Sequence, residues 1–315
     1  VRDGVPSARA GRGARRGRSV PVAGPRQRTV LAMLALNLNQ VVSVGSLVDA
    51  VWGSSPPTTA RRQILTAVSM LRGELGDVIE SRPDGYALCA RPDDVDVYVF
   101  ERLASEACLL NKSGRLEAGV ARQRQALALW RGPALGGVRG MEVEATRLEE
   151  RRLLVLERCL EAELALGHHA DRVDELYALV ERYPLRERFR ALLMRALHGL
   201  GRQADALEVY RSGRCLLVEE LGIEPGVELQ RLHETLLSGT DDPDVGVAIA
   251  ANHPAIRIQS EEPPQRLRQN RHRWPTRHRS TYRVRSGTSS RRSPWIRPCL
   301  ASRSTAEAAR CPTSG

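Results

Sequence analysis

The sequence predicts a mainly α-helical protein of two folded parts, and three observations predict it. Between residues 25 and 91, two short helical patterns, a longer third one and a β-hairpin pattern follow one another. That is the order of a winged helix-turn-helix, three helices with a hairpin wing. From 92 to 239 every periodic stretch is helical. Within this second part a motif returns after 34 residues, the tetratricopeptide period, which predicts an all-α tetratricopeptide-like domain. Residues 1–24, rich in Arg and Gly, are expected to be a disordered arm, and residues 240–315 a disordered basic tail.

The longest helical pattern of the first part is TTARRQILTAVSMLRGELG, Thr58 to Gly76. Thr58 or Thr59 is placed to cap it after Pro56-Pro57, and Gly76 to end it. Ile64, Val68, Leu71 and Leu75 recur at spacings of four, three and four, which makes one buried face. Arg61, Arg62, Thr66, Ser69 and Arg72 fall largely outside that face. Leu65 is ambiguous between a core position and, if this helix meets DNA, a contact with a thymine methyl group. Before this helix, Val30, Leu31, Leu34 and Leu38 predict a first helix over Gln27 to Asn37, and Val41-Val42 reads as an extended link. A second helix carries Leu47, Val48, Val51 and Trp52, capped by Ser43 or Ser46 and stopped at Gly53. After it, VIESRPDGYALCA is a hairpin with Pro83-Asp84-Gly85 at its tip.

In the second part, helices are expected at Asp96–Asn111, Leu116–Trp130, Glu142–Leu166, and at about 170–182, 185–199, 203–220 and 226–237. The repeated motif is Leu166-Gly167-His-His-Ala170-Asp171 and Leu200-Gly201-Arg-Gln-Ala204-Asp205. Trp52, Trp130 and Tyr86 read as core aromatics. Glu149, Glu150, Arg151 and Arg152 read as a solvated helix face.

The formal net charge of the 315-residue chain is +11, but the excess lies at the ends. Residues 1–28 hold eight Arg and one acid, and residues 241–315 hold fourteen Arg and six acids, so the stretch between them is slightly acidic. Lys112 is the single lysine, and it lacks the glycines of a phosphate-binding loop, so no P-loop ATPase site is encoded. The six cysteines form no CxxC pair, which fits a reducing cytoplasm and neither a zinc ribbon nor a disulfide framework. The longest apolar run, Val30 to Leu36, is too short to cross a bilayer, so no membrane association is expected. His168-His169 beside Asp171 has no third ligand at helical spacing, and no nucleophile–base arrangement is found. The expectation is therefore a binding protein and no enzyme, without cofactor or metal.

Several stretches together carry a family likeness. PRQRTVLAMLALNLNQVVSVGSLVDAVWG, PPTTARRQ, VSMLRGELG and GYAL resemble the winged-helix domain of the Streptomyces antibiotic regulatory protein family. DDVDVYVFERL, ALALWRGPAL, RLEERRL, EAELALGHH and LGIEPGVELQRLH resemble that family's bacterial transcriptional activation domain. The resemblance implies a transcriptional activator of a secondary-metabolite gene cluster that binds direct repeats near a promoter and recruits RNA polymerase. Three departures stand out. The Arg/Gly-rich arm stands where the family has a strand before its first helix. Met70 stands where members often have Arg, and Gly73 stands where a basic or helix-favouring residue is usual. Larger relatives continue into an ATPase domain where this sequence runs into its Arg/Ser/Pro tail. Two other readings stay open: a peptide-binding adaptor that does not touch DNA, and a shortened fragment of an ATPase-type regulator.

For double-stranded DNA the candidate contacts are Arg61, Arg62, Thr66, Ser69, Arg72 and Arg82. Arg61 and Arg62 lie in the first helical turn, where backbone N–H groups also face phosphate. Arg62, Thr66 and Ser69 form a stripe that can reach base edges, arginine suiting guanine O6 and N7. Arg72 is expected on phosphate, and Arg82, at the wing, on the minor groove or the neighbouring backbone. Residues 29–90 hold four Arg and five acids, so one module should bind weakly, and a homodimer or oligomer on DNA is expected.

Overall fold

The computed structural model describes residues 24–238, which lie within one compact unit. The basic tail lies outside these residues, as does the arm up to residue 23. The first part comprises α1 (Pro25–Leu36), β1 (Val42–Ser43), α2 (Val44–Trp52), α3 (Ala60–Leu75), β2 (Ile79–Arg82) and β3 (Gly85–Leu88). Pro25 occupies the first helical position of α1, where a missing N–H costs nothing. Ser43 caps α2, its Oγ accepting from the N–H of Ser46 at 3.0 Å. The three helices close on one core that includes Val30, Leu31, Leu34, Leu47, Ile64, Val68, Leu71 and Leu75. Tyr86 and Leu88 of the sheet complete it.

Two features of the sheet differ from the expectation. The link at Val42 is a strand: it pairs antiparallel with β3, Val42 opposite Tyr86 and Ser43 opposite Gly85. β3 is therefore central, in the order β1-β3-β2. Gly85 belongs to β3 and not to the turn, since Arg82 pairs with it across a two-residue loop of Pro83 and Asp84. A β-carbon on Gly85 would stand 1.9 Å from the Val42 carbonyl oxygen, so glycine is what lets β1 approach.

The second part follows a short 3-10 turn, Pro92–Asp94, where Arg91 forks onto Asp94 with two bonds of 3.0 Å. It contains α4 (Asp96–Lys112), α5 (Leu116–Leu127), α6 (Glu142–Ala165), α7 (His169–Arg182), α8 (Glu187–Gly199), α9 (Gln203–Leu221) and α10 (Val227–Ser238). The turns α4–α5, α6–α7 and α8–α9 share one geometry. Gly114, Gly167 and Gly201 have φ of +76°, +84° and +72°. In each turn the following N–H reaches back five residues: Arg115 to Leu110, His168 to Glu163 and Arg202 to Leu197, at 3.0, 3.0 and 2.9 Å. This is the glycine-terminated helix stop. It gives the repeated Leu-Gly motif a physical basis and adds a third copy that the sequence motif does not include. Lys112 lies exposed beside the first of these turns.

Apolar packing and ion pairs tie the helices together. Phe189, Leu192, Leu193, Leu160, Leu176 and Leu232 belong to the larger core, and Phe100 meets Trp130 edge-on at 5.3 Å. Arg124 on α5 reaches Glu163 on α6 and Glu175 on α7, at 2.5 and 2.9 Å. Burial alone would raise the Glu175 carboxyl, but Arg124 and Arg172 hold it below its ordinary pKa. Burial pushes the neighbouring Cys159 thiol up to about 12. The 149–152 stretch is not simply a solvated face. Arg151 pairs with Glu101 at 3.0 Å, Arg152 lies over the Trp130 ring, and Glu149 accepts from the N–H of Ala134.

The two parts are joined by more than a linker. Leu135, Val138 and Met141 pack against Ala32 of α1 in a separate small core. Leu135 takes a left-handed φ of 53°, rare for a branched side chain, and is buried there. The Tyr98 hydroxyl donates to the Leu36 carbonyl at 3.0 Å and accepts from the Leu38 N–H at 3.2 Å. Desolvation raises the Tyr98 pKa, so the hydroxyl keeps its proton for that bond.

Candidate nucleic-acid interface

The α3 helix is held by its apolar side, and this determines what its other side offers. Ile64, Val68, Leu71 and Leu75 are all buried. Thr59 occupies the N-cap position, and its hydroxyl accepts from Gln63 Nε2 at 2.9 Å and not from a backbone N–H. Gly76, with φ of +82°, ends the helix, its N–H bonded to the Arg72 carbonyl at 2.9 Å. Sixteen residues give a rod about 24 Å long. Arg61, Arg62, Leu65, Thr66, Ser69, Met70 and Gly73 are exposed along it.

The candidate residues divide by what their side chains already touch. Among the described residues the side chains of Arg61 and Arg62 have no hydrogen-bond, ion-pair or ring partner. The other arginines of this part are engaged. Arg26 lies over the Trp52 ring at 5.6 Å. Arg82 pairs with Glu80 at 2.6 Å, both half-exposed, so the pair is weak and open to exchange for a phosphate. Arg72 donates through Nε to the Ile79 carbonyl at 2.8 Å and through Nη2 to Ser81 Oγ at 2.9 Å, and its guanidinium lies over the Tyr86 ring. It thus braces the wing against the end of α3, a role that its helical position did not announce.

Thr66 donates its hydroxyl to the Arg62 carbonyl at 3.1 Å. Ser69 stands exposed one turn beyond Leu65 and two beyond Arg62. Leu65, ambiguous by spacing, is 58% exposed and so is no core residue. Met70, half-exposed, receives Gln27 Nε2 of α1 on its sulfur at 3.1 Å. A β-carbon on Gly73 would meet nothing within 4 Å. The arrangement is a helix end with two uncommitted cations, followed by small and apolar groups, with a braced hairpin beside it.

The comparisons with known proteins agree with this fold. Residues 19–88 match the model of the C-terminal domain of transcriptional regulatory proteins, and residues 95–237 that of the bacterial transcriptional activator domain. The chain is 42% identical over 236 residues to regulatory protein DnrI of Streptomyces peucetius, covering 70% of this chain and 87% of that one. It belongs to the Streptomyces antibiotic regulatory protein family. Like other Streptomyces antibiotic regulatory proteins it is a DNA-binding transcriptional activator. Regulatory protein AfsR of Streptomyces griseus is 40% identical over 244 residues, but the chain spans only 25% of its length. The structure of Mycobacterium tuberculosis EmbR in complex with a low affinity phosphopeptide has the same fold, with a TM-score of 0.67 and 34% identity, over 72% of this chain and 62% of that one. The arm that stands where the family has a strand before its first helix lies outside the described residues. No helix among them is long and apolar enough to cross a membrane, and no cluster of three or more metal-ligating side chains occurs among them.

Proposed function

We propose that this chain activates a secondary-metabolite gene cluster by laying α3 in the major groove of direct repeats near the promoter, two or more copies side by side, while the second part recruits RNA polymerase. The modules divide near residue 91, and the protein works by binding, not by catalysis, in the cytoplasm. One observation carries the reading: Arg61 and Arg62, at the N-terminal end of α3, are two unpartnered guanidinium groups on the exposed side of a helix anchored by its other face. Arg62 suits guanine, and Arg61, with the helix-end N–H groups, suits phosphate. Ser69 continues the reading stripe. Arg82 reaches DNA by leaving Glu80, and Arg72 contributes mainly by holding the wing in place.

The test is selection of bound sites from a random duplex library by the full chain, followed by gel shifts at several salt concentrations. Enriched direct repeats, filled stepwise, are expected. Arg62→Ala should weaken binding to the selected site by about 1–3 kcal/mol while the fold is kept. Equal loss on every sequence would assign Arg62 to the phosphate backbone and sink the base-reading role. Transcription from a template bearing the repeats, with purified RNA polymerase, tests recruitment: no stimulation would overturn it.

A further inference from the structure

The surface of α3 next to Arg62 is more apolar than its sequence suggests. Leu65 and Thr66 follow Arg62 by three and four residues, so both are its neighbours on the helix surface. Leu65 exposes more than half of its area and belongs to neither the core of the first part nor the small core that joins the two parts. Thr66 looks polar, but a hydroxyl has one proton, and this one is given to the Arg62 carbonyl, so Thr66 can still accept but has no proton left to give a base. Its methyl group remains. Met70, the other exposed apolar side chain of α3, is engaged by Gln27, so it is not equally free. Beside an arginine suited to guanine, the helix therefore offers an isobutyl group and a methyl group, with the Ser69 hydroxyl one turn on.

A base edge that is apolar in the major groove is the C5-methyl of thymine. We propose that Leu65, together with the Thr66 methyl group, seats the C5-methyl of a thymine in each repeat, next to the base read by Arg62. This rests on the reading that α3 enters the major groove. It goes further by making Thr66 an apolar contact and not a hydrogen-bonding one. Leu65 thereby becomes a specificity-determining residue.

Uracil differs from thymine only by that methyl group, so the experiment is a thymine-to-uracil scan of the selected operator, read by gel shift with the full chain. One position per repeat should lose about fourfold in affinity, the worth of one buried methyl. Leu65→Ala should bind the thymine and uracil forms alike. Thr66→Val, which keeps the methyl and removes the hydroxyl, should retain the thymine preference, and Thr66→Ser, which does the opposite, should weaken it. Tolerance of uracil at every position would overturn the proposal, as would a uracil penalty undiminished in Leu65→Ala, which would belong to the duplex. A preference lost in Thr66→Val and kept in Thr66→Ser would restore the hydroxyl as the reader and likewise overturn it. Arg62→Ala separates the parent reading: if it binds the operator as well as the wild type, α3 is not the reading element. If it binds less well while uracil is tolerated, only the thymine contact fails.

Discussion

Gly140 lies against Ala50 so closely that a β-carbon on it would stand 1.9 Å from the Ala50 carbonyl oxygen. Gly140 precedes α6 and Ala50 lies in α2, so this is backbone against backbone between the two parts of the chain. The carbonyl of the next residue back, Arg139, lies 3.4 Å from Thr29 Oγ1 of α1, whose one proton it shares with the Pro25 carbonyl at 3.2 Å. Gly140 also has φ of +79°, so a substitution meets both a clash and a strained backbone. Gly140→Ala should cost at least about 2 kcal/mol in urea unfolding. An unchanged midpoint would mean that the parts do not dock through this contact.

Removing Arg72 should loosen the wing. Arg72→Ala deletes two charge-assisted bonds to β2 and the contact over Tyr86. The expected loss is about 1.5–3 kcal/mol, with faster amide exchange in Ile79–Arg82. If Arg72 served only as a phosphate contact, exchange in the free protein would not change.

Gly73 is exposed on α3, with open space where its side chain would be. Gly73→Ala should raise stability by about 0.5–1 kcal/mol. A lower melting temperature would show that the helix needs the glycine. Weaker operator binding at higher stability would place DNA close to this backbone.

Acid should weaken the second part through two histidines. His169 is half-buried against Gly199, and burial, with His168 adjacent, lowers its pKa. Burial also lowers that of His233, stacked on Tyr210 at 3.8 Å, with Arg211 acting in the same sense and Glu234 opposing it. A lowered folded pKa means that the unfolded chain takes up protons first as pH falls through the ordinary histidine value. Stability should therefore decline below about pH 6.5 and level off once the folded rings are protonated too. Melting followed between about pH 7.5 and 5.5 should show the slope, and His169→Gln should flatten it. A slope unaffected by that substitution would assign the effect elsewhere.

The long patterns of this chain were legible and the short or distant relationships were not. Four apolar residues over three turns announced the buried face of α3, and Ile64, Val68, Leu71 and Leu75 are all buried there. β1 spans two residues, too few for an alternation to register, so its pairing with β3 was missed. The bracing role of Arg72 depends on a chain reversal at Gly76 that brings Ile79 and Ser81 back to it, which helical spacing does not encode. The exposure of Leu65 was settled only by packing, because adjacent helical positions point about 100° apart and either side was open to it. The uncommitted state of Arg61 and Arg62 had no signal at all in the sequence, since it depends on where every acid of the module ends up.

The lone lysine has a practical consequence. Lys112 is exposed at the turn between α4 and α5, and every cation on the outward side of α3 is an arginine. Lysine acetylation therefore has no target on that side and cannot neutralise it. An amine-reactive fluorophore, for the same reason, finds one side-chain handle in the whole molecule. A dye attached there reports on rotation or energy transfer while the charged helix end stays chemically untouched.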